Sequence, residues 1–143
     1  VISSIYFNPE LACKKGNYTK VKPSNMDIKS INQGIKYFEK SNNLDHVQAL
    51  VVKDNKIIAK EDNKGTKKML SKLKSHSDSI LIKFPKKKQD LRMDLPTIGF
   101  QTIKDCKKYG LKGIVLKSKK NIFLDKNKCI KFANKNNIFI SIK

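Results

Sequence analysis

The sequence contains one arginine, three cysteines and two histidines. Cys13, Cys106 and Cys129 lie far apart and form no CxxC pair. This spacing argues against a disulfide framework or a zinc site and suits a reducing compartment. Cys106 and Cys129 lie in helical patterns, so we expect them to be small core residues rather than nucleophiles. His46 and His76 stand alone, so a surface role is favoured over a catalytic or metal-binding one. No apolar run approaches the length of a membrane-spanning helix.

Acidic residues are also few, and the balance of 32 basic against 12 acidic residues gives a net charge of +20. One interpretation is an anionic partner, such as nucleic acid, anionic lipid or a phosphorylated substrate. The other is a solvated lysine surface, because lysine, asparagine and isoleucine are abundant together and the lysines are dispersed. Aromatic residues make up 8% and lie mostly in apolar clusters, so we do not expect nucleic acid as the partner.

Apolar periodicity predicts alternating strands and helices in one domain. We expect a single-domain α/β fold with a mixed β-sheet flanked by helices, in which residues 1–23 are a linker and residues 24–143 the domain. Ser24 or Asn25 is expected to cap the first helix and Asp125 the last. The predicted helices span about 24–40, 67–75, 100–109 and 125–135, and the predicted strands 47–52, 56–61, 79–84, 113–116, 122–124 and 138–142.

Residues 83–99 contain the most informative pattern in the chain. They follow a predicted strand, and Pro85 and Pro96 prevent one continuous helix. Asp90 and Asp94 flank Arg92, the single arginine among 32 basic residues. A guanidinium binds phosphate or carboxylate through two parallel hydrogen bonds, which an ammonium cannot do. The pattern therefore favours a phosphate-binding site, and the alternative is a structural Arg–Asp pair at a strand end.

A second, weaker pattern runs from Glu61 to Thr66. A strand end, a glycine, a hydroxyl and a helix start follow one another there, which is typical of many strand-to-helix turns as well as of anion-binding loops.

The string Gln-Asp-x-Arg-x-Asp-Leu-Pro-Thr-Ile-Gly at residues 89–99, with Lys83 before it, resembles the carboxyl-terminal domain of the LpxI-type UDP-2,3-diacylglucosamine pyrophosphatases of lipid A biosynthesis. Shorter matches extend the resemblance over about residues 5–143, and the family's amino-terminal domain is expected to be absent from this chain. They include Pro9, Gly16, Gly34, Asp45, Gln48, Glu61, Gly65, Thr66, Gly110, Gly113 and Asp125.

The resemblance implies a Mg²⁺-dependent hydrolysis of a pyrophosphate bond that yields UMP and 2,3-diacylglucosamine 1-phosphate, known as lipid X. It implies that Asp94 and then Asp90 are catalytic, and that Arg92 and Lys83 bind phosphate. Asp94 is also the candidate metal ligand, and whether it holds the metal or acts as a base is left open. The other expected substrate contacts are Thr97, Glu61, Thr66 and Gln48.

The resemblance also implies a nucleotide-linked acylated sugar as substrate, and a cytoplasmic location at the anionic inner membrane of a Gram-negative bacterium. The chain departs from the family at Lys64 and Lys67, which replace two acids, at Ser30, which replaces an acid, and at Val47, which replaces a glycine. Either these are drift on solvated loops, or they remove a metal ligand. In the second case the chain is a non-catalytic basic module that binds nucleic acid, anionic lipid or a nucleotide sugar.

Overall fold

The structure is a computed structural model that describes residues 16–40, 49–61, 66–73, 78–84, 97–117, 122–123 and 125–143. Its helices are α1 (Asn25–Lys40), α2 (Thr66–Ser71), α3 (Phe100–Lys108) and α4 (Lys126–Lys135). Its strands are β1 (Gly16–Asn17), β2 (Ala49–Lys53), β3 (Lys56–Lys60), β4 (Ile80–Lys83), β5 (Thr97–Ile98), β6 (Gly113–Leu116), β7 (Ile122–Phe123) and β8 (Phe139–Ile142).

Six strands form a mixed sheet in the order β1-β8-β6-β4-β2-β3. The three central strands β4, β6 and β8 are parallel, and β1 and β2 run antiparallel to their neighbours. This arrangement confirms the predicted α/β fold with a mixed sheet. Gly16 and Asn17, which the sequence analysis placed in the entering segment, add an edge strand to this sheet.

Strands β3, β4, β6 and β8 all end at the same side of the sheet, which we call the carboxyl edge. Helices α2, α3 and α4 follow β3, β4 and β6, and each leads to a strand that begins at the opposite edge. The chain therefore turns from strand towards helix at the carboxyl edge three times. In α/β sheets, ligands bind most often at this edge.

The sheet is buried on both faces by separate apolar layers. Helix α1 packs Ile31 against Val52, Ile80, Ile82 and Val115 on one face. On the other face, α2, α3 and α4 bury fifteen residues around Leu81 and Ile114. Strand β4 is fully apolar up to Lys83 because it contributes to both layers, as a parallel central strand does.

Two glycines allow the close approaches that these layers require. A Cβ atom on Gly34 of α1 would overlap Cδ1 of Ile82, and one on Gly113 of β6 would overlap the ring of Phe139. Both positions therefore need glycine for space rather than for backbone freedom.

A reciprocal pair of hydrogen bonds begins α1. The backbone N–H of Asp27 donates to Oγ of Ser24 over 3.2 Å, and the N–H of Ser24 donates to Oδ2 of Asp27 over 2.9 Å. Lys112, which precedes β6, forms an ion pair with Oδ1 of Asp27. This capping box confirms the predicted start of the helix and also attaches it to the sheet.

The β2–β3 hairpin turns at Asp54 and Asn55, whose φ angles of 51° and 64° are typical of a two-residue turn with both residues left-handed. The N–H of Asn55 donates to Oγ of the buried Ser30 over 2.7 Å. This turn joins two of the predicted strands, which pair antiparallel, and it lies at the edge opposite the carboxyl edge.

Some local predictions were wrong. The segment containing Ile122 and Phe123 was predicted as a strand across a turn from residues 113–116, but β7 pairs in parallel with β5, which was not predicted. Asp125 does precede α4, yet it has left-handed dihedrals and its side chain makes no capping hydrogen bond. Helix α2 ends at Ser71 rather than at residue 75, because a turn and a bend follow at residues 72 and 73.

We expect the substitution Gly113→Ala to lower the free energy of unfolding by about 1–3 kcal/mol, because the new methyl group must displace the buried Phe139 ring. Urea unfolding followed by circular dichroism measures this change. In the Gly113→Ala background, Phe139→Leu should cost less than it does alone, since the smaller side chain relieves the overlap. Strict additivity of the two substitutions would contradict the proposed contact.

The stability that Asp27 contributes should depend on pH. Burial opposes its charge, but hydrogen bonds from Lys112 and Ser24 outweigh that effect and hold the pKa below its ordinary value of 3.8. Asp27→Asn should therefore cost about 1 kcal/mol at neutral pH. The difference from the wild type should close as the pH falls below 3.8, through the folded-state pKa, because the native carboxylate is then protonated. A difference that stays constant as the pH falls well below 3.8 would show that the charge of Asp27 contributes nothing.

Candidate functional site at the carboxyl edge

Lys83 is the last residue of β4 and lies in the middle of the carboxyl edge. It is opposite Leu116 of β6 on one side and Ala49 of β2 on the other. The alternation of side chains along β4 directs it to the face covered by α2, α3 and α4. Its positive charge lowers the pKa of Cys106 on α3, against the larger effect of burial, which agrees with this direction.

Glu61 follows β3 at the same edge and is half-buried. Its backbone N–H donates to the carbonyl oxygen of Ala49 over 2.9 Å. Since Ala49 is paired with Lys83, the three residues lie side by side across the ends of β3, β2 and β4. The structure thus brings together two residues that the sequence analysis named separately, Lys83 and Glu61.

Two other predicted residues begin structural elements that follow the carboxyl edge. Thr66 is the first residue of α2 and Thr97 is the first residue of β5. Thr97 is paired with Ile122 in the two-stranded parallel sheet, and α3 begins three residues after Thr97. The structure describes the backbone at both threonines but not their side chains, so their proposed substrate contacts stay predictions.

Gln48, Asp90, Arg92 and Asp94 lie outside the described residues, and their roles are untested. The described residues next to them lie at or beyond the carboxyl edge. Ala49 follows Gln48, and the segment of the three charged residues is preceded by Phe84 directly after β4 and followed by β5 and α3. Because Lys83 ends β4 at the carboxyl edge, the chain leaves the sheet at this edge before it reaches the segment.

A second cation, which was not predicted from the sequence, lies at this edge. Lys117 comes directly after Leu116, the partner of Lys83, and its Nζ atom lies 5.2 Å from the centre of the Phe84 ring. Phe84 in turn stacks on Phe38 of α1 at 5.4 Å. A lysine immediately after a predicted parallel strand is a signal that could have identified it.

Helix α3 begins at this edge without a side-chain cap at Gly99 and without an acidic residue in its first turn. Helix α4 begins in the same way after Asp125. The free N–H groups and the macrodipole give each helix start a partial positive charge. Together with Lys83 and Lys117, these helix starts give the carboxyl edge a potential that favours phosphate groups.

The described part of the chain contains no group of three or more histidine, cysteine, aspartate or glutamate residues that could hold a metal ion. Asp105 of α3 is buried and accepts a hydrogen bond of 3.0 Å from Nε2 of Gln101. We therefore assign Asp105 a structural role within the helix. Glu61 is a described carboxylate at the same edge as Lys83, with Ala49 of β2 between them. Carboxylate oxygens are the ligands that Mg²⁺ prefers in proteins.

The departures from the family pattern differ in their positions. Ser30 is buried beside the β2–β3 turn at the opposite edge, so its replacement of an acid does not alter the carboxyl edge. Lys67 is exposed in the first turn of α2, close to Thr66 in the chain. Lys64 and Val47 lie outside the described residues.

The two described cysteines are core residues, as predicted. Cys106 and Cys129 are fully buried. Burial, reinforced by the nearby Asp105, raises the pKa of Cys106 to about 12, and burial together with Asp125 raises that of Cys129 to about 11. Neither thiol is therefore suited to act as a nucleophile near neutral pH.

Two comparisons with known proteins agree with the sequence pattern. A family model described as the LpxI C-terminal domain matches residues 14–141. A curated relative, the UDP-2,3-diacylglucosamine pyrophosphatase LpxI of Caulobacter vibrioides, is 29% identical over 141 residues. The alignment covers 92% of this chain and 50% of that protein, so the chain spans about half the length of the curated relative it matches. Within the described residues, no helix is both long enough and apolar enough to cross a membrane.

The buried thiols should be unreactive in the folded protein. In a Cys13→Ser variant at mildly alkaline pH, we expect Ellman's reagent to label neither Cys106 nor Cys129, because pKa values of about 12 and 11 leave both thiols protonated and burial blocks access. Both should react once guanidinium unfolds the chain. Rapid labelling of the folded variant would contradict their assignment to the core.

Proposed function

The chain belongs to the LpxI C-terminal domain family, and on that basis we propose that the protein containing it hydrolyses the pyrophosphate bond of UDP-2,3-diacylglucosamine. The products are UMP and 2,3-diacylglucosamine 1-phosphate. Because the chain spans about half of its curated relative, we assign the activity to the complete protein. The observation that carries the proposal is that Lys83 and Glu61 lie at the same edge of the sheet, and that Lys83 ends the strand that leads to the segment with Asp90, Arg92 and Asp94.

In this proposal the carboxyl edge binds the diphosphate. The ammonium group of Lys83 and the starts of α3 and α4 attract its negative oxygens, and Arg92 adds a planar pair of donors to one phosphoryl group. The same groups stabilise the charge that develops on the phosphoryl oxygens during the reaction. Most of the rate enhancement of phosphoryl transfer arises from such electrostatic stabilisation.

Asp94 is the proposed catalytic carboxylate, and Asp90 supports it. A carboxylate in this role can orient the attacking water opposite the leaving group and accept the proton that the water loses as it attacks the phosphorus. Thr97, Thr66 and Gln48 are proposed as neutral contacts that position the substrate. Uncharged donors suit that role because they bind oxygens without holding the products too strongly.

Mg²⁺ is the proposed cofactor, and the oxygen donors of Asp90, Asp94 and Glu61 fit it. When bound, the ion would neutralise charge on the diphosphate and polarise a phosphoryl oxygen. Lys67 is exposed beside this region and adds a positive charge where the family has an acid. The chain's own lysines would then share the neutralisation of the substrate with a metal held by fewer carboxylates.

The full-length protein tests the proposal through UMP release from UDP-2,3-diacylglucosamine. We expect Asp94→Asn to reduce kcat by about 10²–10³-fold, since it removes a group that acts on the reacting atoms while preserving its shape. Arg92→Lys should lower kcat/KM by about tenfold or more, because an ammonium cannot make the bidentate contact. Titration with EDTA and readdition of Mg²⁺ then tests the metal separately.

Asp54→Asn is the matched control. It makes the same chemical change at an exposed turn on the opposite edge, where asparagine also tolerates the left-handed backbone. This variant should retain wild-type turnover. Equal losses from Asp54→Asn and Asp94→Asn would contradict the assignment of Asp94. Binding of the substrate without hydrolysis by the wild type would instead select the non-catalytic interpretation.

A further inference from the structure

The two helical faces of the sheet differ strongly in charge. Helices α3 and α4 contain seven lysines and a single acid, Asp105, which is buried and hydrogen-bonded. Helix α1, on the other face, contains three lysines and two acids. A general abundance of lysine does not explain why the exposed side chains of α3 and α4 include no acid, with Asp125 just before α4 as the nearest exposed one. We call the lysine surface of α3 and α4 the basic face, and it comprises Lys104, Lys107, Lys108, Lys126, Lys128, Lys131 and Lys135.

Several of these lysines are held against aromatic rings. The Nζ atoms of Lys104 and Lys128, which come from different helices, lie 5.6 and 4.4 Å from the centre of the Phe100 ring. Phe100 packs edge-to-face on Phe132 at 5.2 Å. Lys126 lies 4.3 Å from the Tyr18 ring in the same way. From the sequence, aromatic residues were expected mostly in apolar clusters. On this face the structure instead places Phe100 and Tyr18 in contact with lysines.

We infer that the basic face is a docking surface for anionic lipid headgroups, through which the protein rests on a negatively charged bilayer. Charge complementarity is the first argument, because closely spaced lysines on two adjoining helices match the many phosphates of a lipid surface. The half-buried rings supply the second, since lysine stems that cover aromatic rings keep their ammonium groups at the boundary between apolar and polar surroundings.

A bilayer fits this face better than a nucleic acid does. Single-stranded nucleic acids bind through bases stacked on open aromatic faces, whereas Phe100 and Tyr18 are covered by lysines and Phe132 by Phe100. The described residues contain no helix that could cross a membrane, so the contact would be peripheral. The inference goes beyond the proposed hydrolysis and does not depend on it, because it rests on the charge distribution and on the lysine-covered rings of this face.

Co-sedimentation of the full-length protein with vesicles tests the inference. The probes are vesicles of phosphatidylcholine alone and of phosphatidylcholine mixed with phosphatidylglycerol, at physiological salt. The test variant combines Lys107→Gln, Lys131→Gln and Lys135→Gln, all at exposed positions. The matched control combines Lys29→Gln, Lys36→Gln and Lys40→Gln on α1, which remove the same charge from exposed positions on the opposite face.

We expect the wild type to bind only the anionic vesicles. The basic-face variant should bind them about tenfold or more weakly, because each lysine near an anionic surface contributes appreciably. The α1 variant should lose much less. Equal losses in both variants would show that net charge alone attracts the vesicles, and no loss in the basic-face variant would show that another surface binds. Either result would overturn the inference, as would tight RNA binding by this face without vesicle binding.

UMP release measured on detergent-solubilised substrate separates this inference from the proposed function. The basic-face variant should hydrolyse that substrate at the wild-type rate, since its three lysines lie in the carboxyl-terminal halves of α3 and α4, away from the helix starts proposed to bind the diphosphate. Vesicle binding that depends on the basic face supports the inference even if no preparation hydrolyses the substrate. A wild type that hydrolyses the substrate but does not bind anionic vesicles would refute the inference alone.

Discussion

The parallel pairing of β4 with β6, and of β6 with β8, determines most of what this chain can do. Three parallel strands that end at one edge require two returns to the opposite edge, and α3 and α4 make them. The carboxyl ends of strands and the amino ends of helices consequently meet at the carboxyl edge. Close packing maintains this arrangement, because Gly113 allows the Phe139 ring to lie against β6. The electrostatic character of the edge is thus a result of topology, before any functional side chain is considered.

Much of this architecture could be predicted from local signals. Ser24 and Asp27 have the spacing of a capping box, and the Asp54-Asn55 pair between two apolar runs predicts a tight hairpin. The parallel pairing of β5 and β7 could not be predicted, since strands of two residues carry no periodicity and their partners are distant in the chain. Asp125 was expected to cap α4 through its side chain, but its left-handed backbone removes that bond. The residue type at position 125 predicted where the helix begins, but not the backbone conformation or the absence of a side-chain cap at its start.

The candidate site was less predictable from the sequence than the fold was. Arg92 is informative because it is the one guanidinium in a lysine-rich chain, and this signal needs no structure. Neither composition nor spacing could show that Glu61 and Lys83 lie level with each other at the carboxyl edge, because that placement depends on β2 pairing with both β3 and β4. Lys117 was missed for the same reason, as its importance follows from pairing with β4. Ser30 illustrates the converse, since a departure that looks functional in sequence is explained by its bond to the hairpin turn.

A net charge of +20 on 143 residues creates repulsion that the folded chain must accommodate. The structure does so partly by placing ammonium groups over aromatic rings, as Lys104 and Lys128 share Phe100, and partly by pairing Lys112 with Asp27. The remaining positive charge is unevenly distributed. Lysines barely outnumber acids on α1, whereas they greatly outnumber them on α3 and α4. A self-repelling helix pair lowers stability unless an anionic partner offsets it. A lipid surface beside the basic face would turn that repulsion into attraction while the carboxyl edge, which faces along the sheet, stayed available for a diphosphate.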